Sequence, residues 1–256
     1  MQIPSQDFLT QVISTLKDYS PCDVADALLK FGLPDGGFFP NLNQVSSNDS
    51  CSVGVAYTVT YAPMDDPRPE LKQVSYIDQA PPGSMIVIGL TRSAQLPGAP
   101  YVKITNALYG GLMSTRAKYL EAQGTVVFGR VRDVSEHRAL NYNVWSYGTG
   151  ICAPKGAVKL VAVNEPVEVL VEDYYNKNEE GSSRKAYKTI YPGDIIIGDE
   201  NGIARVPVGR DVYDDEWLSK IINYIPKRVE ADELVAKDIM DGKKAKESQK
   251  IRRANL

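Results

Sequence analysis

Phe8, Val12, Ile13 and Leu16 recur at the spacing of one helix face, which predicts a helix over residues 6–19. A second helix follows. Ser20 is placed to cap it, Pro21 fits its first turn and Asp23 can complete a capping box. Ala27, Leu28 and Phe31 carry it to Gly32. Val53, Val55, Tyr57, Val59 and Tyr61 then alternate with small or polar residues, the pattern of a half-buried strand. The proline- and aspartate-rich residues 62–70 read as a loop, and Pro81-Pro82-Gly83 as a turn into a buried strand over residues 85–90.

Gly110-Gly111 opens a helix with Met113, Ala117 and Leu120 on one face, and Gly124 is expected to end it. A short strand covers residues 125–128 and breaks at Gly129. Arg132 and Asp133 follow, before a helix near residues 135–140. Short strands are expected near Val144, over residues 160–163 and over residues 167–171, with residues 173–188 as an exposed hairpin loop. Ile195-Ile196-Ile197 and residues 203–206 flank the tight turn Asp199-Glu200-Asn201-Gly202, a hairpin signature. Two helices, near residues 214–225 and 230–240, close the chain. With no repeat and no long linker, the pattern describes one mixed α/β domain, its strands concentrated in the middle.

Composition narrows the chemistry. A chain of 256 residues can bury a substantial core, and a net charge of −3 gives no global electrostatic case for nucleic acid. The basic stretch 243–253 reads as a solvated helix end with a frayed tail. Three cysteines, odd in number and without metal-ligand spacing, fit a reducing compartment, and a cytoplasmic location is expected. The N-terminus lacks the features of a signal peptide, and the longest apolar runs are strand-length, so no membrane association is expected. One histidine, His137, leaves little for a zinc site or a Ser-His-Asp triad. Any metal is expected to be a hard cation held by carboxylates and water.

Four places could carry function. The Arg132 guanidinium could grip a carboxylate with two parallel hydrogen bonds, and Asp133 could hold a divalent cation. On spacing alone the pair equally describes a surface ion pair or a helix cap. Gly110 to Met113 could present open backbone N–H groups to an anion, or simply let the chain turn into a helix. His137 could shuttle protons but reads as a surface or interface histidine, and Glu136 as a supporting or merely solvated acid. Asp199-Glu200 reads as turn chemistry. Neither a phosphate-binding loop nor a dinucleotide or S-adenosylmethionine fingerprint is present, and no lysine sits in a context that argues for a Schiff base.

Several of these stretches, in order, carry a resemblance. Cys22-Asp23-Val24-Ala25-Asp26-Ala27-Leu28, Gly110-Gly111-Leu112-Met113-Ser114-Thr115-Arg116-Ala117, the run from Gly124 to Asp133, and Pro192-Gly193-Asp194 through Ile203 resemble the family of regulator of ribonuclease activity A. That family includes the class II 4-hydroxy-4-methyl-2-oxoglutarate aldolases. The likeness covers roughly residues 20–208 and is strongest to the fungal branch, leaving residues 209–256 as C-terminal helices and tail. It implies a three-layer β/β/α swivelling-domain-like fold with flanking helices, assembled as a homotrimer with active sites between subunits. By position, Gly110, Gly111, Leu112 and Met113 match the substrate-binding segment, Arg132 the substrate-carboxylate arginine and Asp133 the ligand of Mg²⁺ or Mn²⁺. The implied reaction is cleavage of 4-hydroxy-4-methyl-2-oxoglutarate to pyruvate, or decarboxylation of oxaloacetate, through a metal-stabilised pyruvate enolate.

One position departs from the pattern. The bacterial aldolases carry an aspartate where this chain has Gly111, so proton handling falls to another group. Decarboxylation, which generates its enolate by loss of CO₂, is expected to survive that change better than aldol cleavage. The alternative from another class is a non-enzymatic regulator binding an RNA-processing enzyme, as the family's namesake does; the namesake lacks the aspartate that Asp133 supplies here. A methyltransferase reading has no cofactor fingerprint behind it.

Overall fold

The computed structural model describes residues 4–177, 183–210 and 213–256; for 173–177 and 183–185 the description is of the backbone alone. Six α-helices and twelve strands follow in chain order: α1 (Gln6–Leu16), α2 (Pro21–Lys30), β1 (Phe38–Phe39), β2 (Asn43–Ser46), β3 (Ser52–Pro63), β4 (Ser84–Leu90), β5 (Ala107–Tyr109), α3 (Gly111–Tyr119), β6 (Gly124–Val131), α4 (Val134–Ala139), β7 (Val144–Thr149), β8 (Val158–Val163), β9 (Val167–Lys177), β10 (Ser183–Ile190), β11 (Ile195–Asp199), β12 (Gly202–Val206), α5 (Asp215–Met240) and α6 (Ala245–Arg252).

The main sheet runs β1-β12-β11-β3-β4-β6-β7-β2, with β5 added beside β6 and β8 beside β3. Its centre is parallel: β3 to β4, β4 to β6, β6 to β7 and β5 to β6. Along β4, alternate residues serve opposite faces, as the strand period of two requires. Ile86 and Ile88 pack toward Ala117 of α3, whereas Met85 and Val87 pack with Val167, Val169 and Val171 of the β9–β10 ribbon. The layers are therefore ribbon, sheet and helices, a mixed α/β architecture of the β/β/α kind. A third core, at the β11–β12 end, joins Val12, Leu16, Val24 and Leu28 to Leu218, Ile221 and Ile225, so α1, α2 and α5 flank the sheet.

Local signals in the N-terminal half hold closely. The Ser20–Asp23 capping box forms in both directions, and Gly32 takes the positive φ of 91° that ends α2. Five expectations need correction. The strand over residues 53–61 is buried on both faces, because ribbon and helices cover the sheet from opposite sides. Gly124 begins β6 rather than ending α3, which is capped by Leu120, and β6 continues through Gly129 to Val131. Much of 173–188 is paired strand rather than loop; residues 178–182 of that stretch lie outside the described residues. The two C-terminal helices are one, α5, which runs through Pro226 because a proline costs a helix one hydrogen bond and a bend while Leu218, Ile221, Ile222, Ala231 and Val235 keep one buried stripe on either side of it. The basic tail is no frayed end: α6 folds back, and Asp238 accepts hydrogen bonds from Arg252, Lys243 and Ser248. No helix among the described residues is long and apolar enough to cross a membrane.

Candidate functional site

Two loops meet at the carboxyl ends of the parallel strands. β5 ends at Tyr109 and passes through Gly110 into α3; β6 ends at Val131 and passes through Arg132 and Asp133 into α4. The Arg132 amide donates to the Tyr109 carbonyl at 3.0 Å, tying the loops side by side. Ligands collect at such strand ends in parallel sheets, where helix N-termini point outward.

Asp133 sits in the left-handed region at φ 60°, a conformation that aspartate tolerates better than most side chains. The turn aims its carboxylate at the neighbouring helix. Gly110 is the N-cap of α3 and brings no capping side chain; Asp133 Oδ2 instead accepts the Gly111 N–H at 3.2 Å. A carboxylate there also meets the positive end of the helix dipole. Arg132 Nε lies 3.3 Å from the same oxygen, and both side chains are about one-third exposed. The terminal nitrogens of Arg132 carry no hydrogen bond to any described residue, so its two-pronged edge is open to a ligand.

These groups border a cavity of about 530 Å³, walled by Tyr61, Tyr76, Tyr109, Leu112, Met113 and Pro154 and closed at its polar end by Gly110, Arg132, Asp133 and Glu136. Arg132, Asp133, Gly110, Leu112 and Met113 thus converge on it, with Leu112 projecting largely into solvent, whereas the buried Gly111 faces Glu136 and does not line the cavity. The glycines are sterically explained: a Cβ on Gly110 would stand 2.7 Å from Asp133 Oδ2, and one on Gly111 would overlap the Glu136 carboxylate.

The floor is rigid. Ser114 and Thr125 both donate to the buried Tyr109 hydroxyl, at 3.0 and 3.1 Å, and Thr125 also contacts the Tyr142 hydroxyl. His137, expected at a surface or interface, is fully buried and stacks on Tyr109 with ring centroids 5.7 Å apart. It lies on the inner face of α4, a placement that the short, weakly patterned segment does not announce. Burial lowers its pKa from the usual 6.5, against the opposing pull of the Arg132 backbone, Asp133 and Glu136. Asp199 lies elsewhere and does what a turn residue does, accepting hydrogen bonds from the backbone and side chain of Asn201. The tyrosine walls and the position of Glu136 over Gly111 arise from long-range packing, and no local motif points to them.

Among the described residues no group of three or more His, Cys, Asp or Glu side chains is placed to hold a metal. One carboxylate, about one-third exposed, beside an open cavity is a poor zinc site. It does suit Mg²⁺ or Mn²⁺, which keep several waters and take their remaining ligands from substrate oxygens. Asp133 would be that ligand.

The family model of the RraA-like proteins (Aldolase/RraA) matches residues 21–205, and the chain belongs to this family. It is 27% identical over 205 residues to a candidate 4-hydroxy-4-methyl-2-oxoglutarate aldolase of Halalkalibacterium halodurans, covering 80% of this chain and 79% of the relative. It is 29% identical to Protein DlpA of Legionella pneumophila, again over 80% of this chain, but the match spans only 29% of DlpA. The fold is shared with an uncharacterized protein from Pseudomonas syringae pv. tomato (TM-score 0.68, 22% identity, covering 94% and 97% of the two chains). It is shared also with Streptomyces coelicolor RraAS2, described as an unusual member of the RNase ES inhibitor RraA family (TM-score 0.63, 17% identity, covering 91% and 97%).

Proposed function

We propose that the protein is a divalent-metal-dependent carbon–carbon lyase acting on small 2-oxo acids, of the fungal branch of its family. The candidate reactions are cleavage of 4-hydroxy-4-methyl-2-oxoglutarate to two pyruvates and decarboxylation of oxaloacetate. One observation carries this reading: the open edge of Arg132, the carboxylate of Asp133 and the N-terminus of α3 converge on one cavity.

Both substrates present a 2-oxo carboxylate. Arg132 is positioned to take that carboxylate through its terminal nitrogens, with the first N–H groups of α3 adding favourable polarity for negative charge. Held by Asp133, Mg²⁺ or Mn²⁺ would act as a Lewis acid on the 2-oxo oxygen. The C3–C4 bond then breaks with its electron pair moving toward the 2-oxo group. C4 leaves as CO₂ from oxaloacetate or as the second pyruvate from the aldol substrate, and C3 is protonated.

A homotrimer with inter-subunit sites belongs to the same reading. The exposed Leu112, which lines the cavity, and the exposed Ile151 are apolar positions that a neighbouring subunit would cover. Sedimentation velocity tests it: a trimer is expected, and a monomer at micromolar concentration contradicts it. The regulator reading has the RraAS2 description in its favour. Metal-dependent pyruvate release separates the two, since a purely binding protein gives none.

A further inference from the structure

We propose that Glu136 is the proton-transfer residue of this site, a role that rests on the lyase reading above. Cleavage of a 4-hydroxy-2-oxo acid needs a base. The C4 hydroxyl must lose its proton as the C3–C4 bond breaks, the electrons of the O–H bond forming the new carbonyl and those of C3–C4 forming the enolate. A proton must then reach C3. One carboxylate can do both, taking the first proton and returning it, so that it ends each cycle ionised.

The cavity offers few groups for this task. Asp133 is committed: its Oδ2 already receives the Gly111 N–H and lies beside Arg132. Tyr109 is fully buried, and burial pushes its hydroxyl up to about 12; Tyr61 and Tyr76 are raised by burial as well, so all three stay protonated at neutral pH. His137 is sealed beneath Tyr109 with no exposed surface. Glu136 differs from all of these. It stands in the first turn of α4, is exposed, borders the cavity, and carries no ion pair among the described residues. Its carboxyl group occupies the space directly over Gly111, with Cδ 2.5 Å from where a Cβ on that residue would stand. The absence of a side chain at 111 is what lets this carboxylate lean over the first turn of α3, and both it and Asp133 line the cavity.

The test compares wild type with Glu136→Gln in three assays with Mg²⁺: oxaloacetate decarboxylation, 4-hydroxy-4-methyl-2-oxoglutarate cleavage, and exchange of the pyruvate methyl protons with deuterated water followed by NMR. Loss of CO₂ itself delivers the enolate, so decarboxylation, which needs only the proton at C3, is expected to fall less than the other two reactions, while aldol cleavage and methyl exchange fall by about 100-fold or more. Calorimetric Mg²⁺ binding and the melting temperature are expected to be unchanged, which sets the role apart from metal binding or folding. Moving the carboxylate across the gap, with Gly111→Asp added to Glu136→Gly, is expected to restore at least tenfold of the lost exchange. A Glu136→Gln protein that cleaves the aldol substrate and exchanges pyruvate at the wild-type rate overturns the role of Glu136 and leaves the lyase standing. A wild type inert in all three assays overturns both.

Discussion

The Gly111 amide nitrogen lies 3.2 Å from Oδ2 of Asp133, so the loop after one parallel strand caps the helix that follows its neighbour. This contact makes two separate stretches of sequence, 110–113 and 132–133, into one site. It also couples them, and a change at either is felt at the other.

Asp133→Asn should keep the fold. Asparagine accepts the left-handed backbone at this position, and its carbonyl oxygen can still receive the Gly111 N–H. The loss of charge should abolish calorimetric Mg²⁺ binding and lower metal-dependent pyruvate release by about 100-fold or more. Full turnover in the variant would remove Asp133 from the metal site.

Arg132→Lys keeps the charge but not the planar fork. KM for oxaloacetate should rise and kcat should fall, since the guanidinium serves both the bound substrate and the developing enolate; about tenfold in each is expected. A change confined to KM would assign Arg132 to binding alone.

Gly110→Ala probes the steric fit. The backbone at 110 is extended, so alanine meets no conformational barrier, but its Cβ would stand 2.7 Å from Asp133 Oδ2 and 3.2 Å from Arg132 Nε. The pair must shift. Melting temperature should change little while kcat/KM drops at least tenfold, because small misplacements of positioning groups are costly to rate. An unaffected kcat/KM would show that the pair tolerates displacement.

Asp238 gives the C-terminal helix a pH dependence. Hydrogen bonds from Arg252, then Lys243 and Ser248, hold its carboxyl well below the ordinary 3.8. A depressed carboxylate contributes stability that is fully present above the unfolded-chain value and lost as pH falls through the folded one. Hydrogen exchange of residues 245–252 should therefore be protected at pH 6 and accelerate progressively below about pH 4. In Asp238→Asn that acid dependence should disappear, with exchange already fast at pH 6. Equal protection in the two proteins at pH 6 would show that α6 is held by other contacts.

The legible parts of this molecule are those fixed by neighbours in sequence. The Ser20–Asp23 box, the Gly32 stop and the Asp199–Gly202 turn are local chemistry, and each forms as read. Arg132 and Asp133 were legible as a pair, and their convergence with Gly110 follows from parallel strands ending at one edge. Burial of both faces of β3 was not legible, because the layer over Ala56 comes from Val167, Val169 and Val171, far later in the chain. Neither was the interior place of His137 nor that of Glu136 over Gly111, since both depend on how α3 and α4 pack. The place of the tail was not legible for the same reason: Asp238 lies within the helix expected over residues 230–240, but its pairing with Lys243, Ser248 and Arg252 depends on α6 folding back onto it.

The most direct test of the lyase reading is pyruvate release from oxaloacetate and from 4-hydroxy-4-methyl-2-oxoglutarate, with Mg²⁺ and then with excess EDTA, after subtraction of the metal-only rate. The account predicts turnover above background that EDTA abolishes and that Asp133→Asn lacks. A folded wild-type protein that releases pyruvate from neither substrate would contradict it.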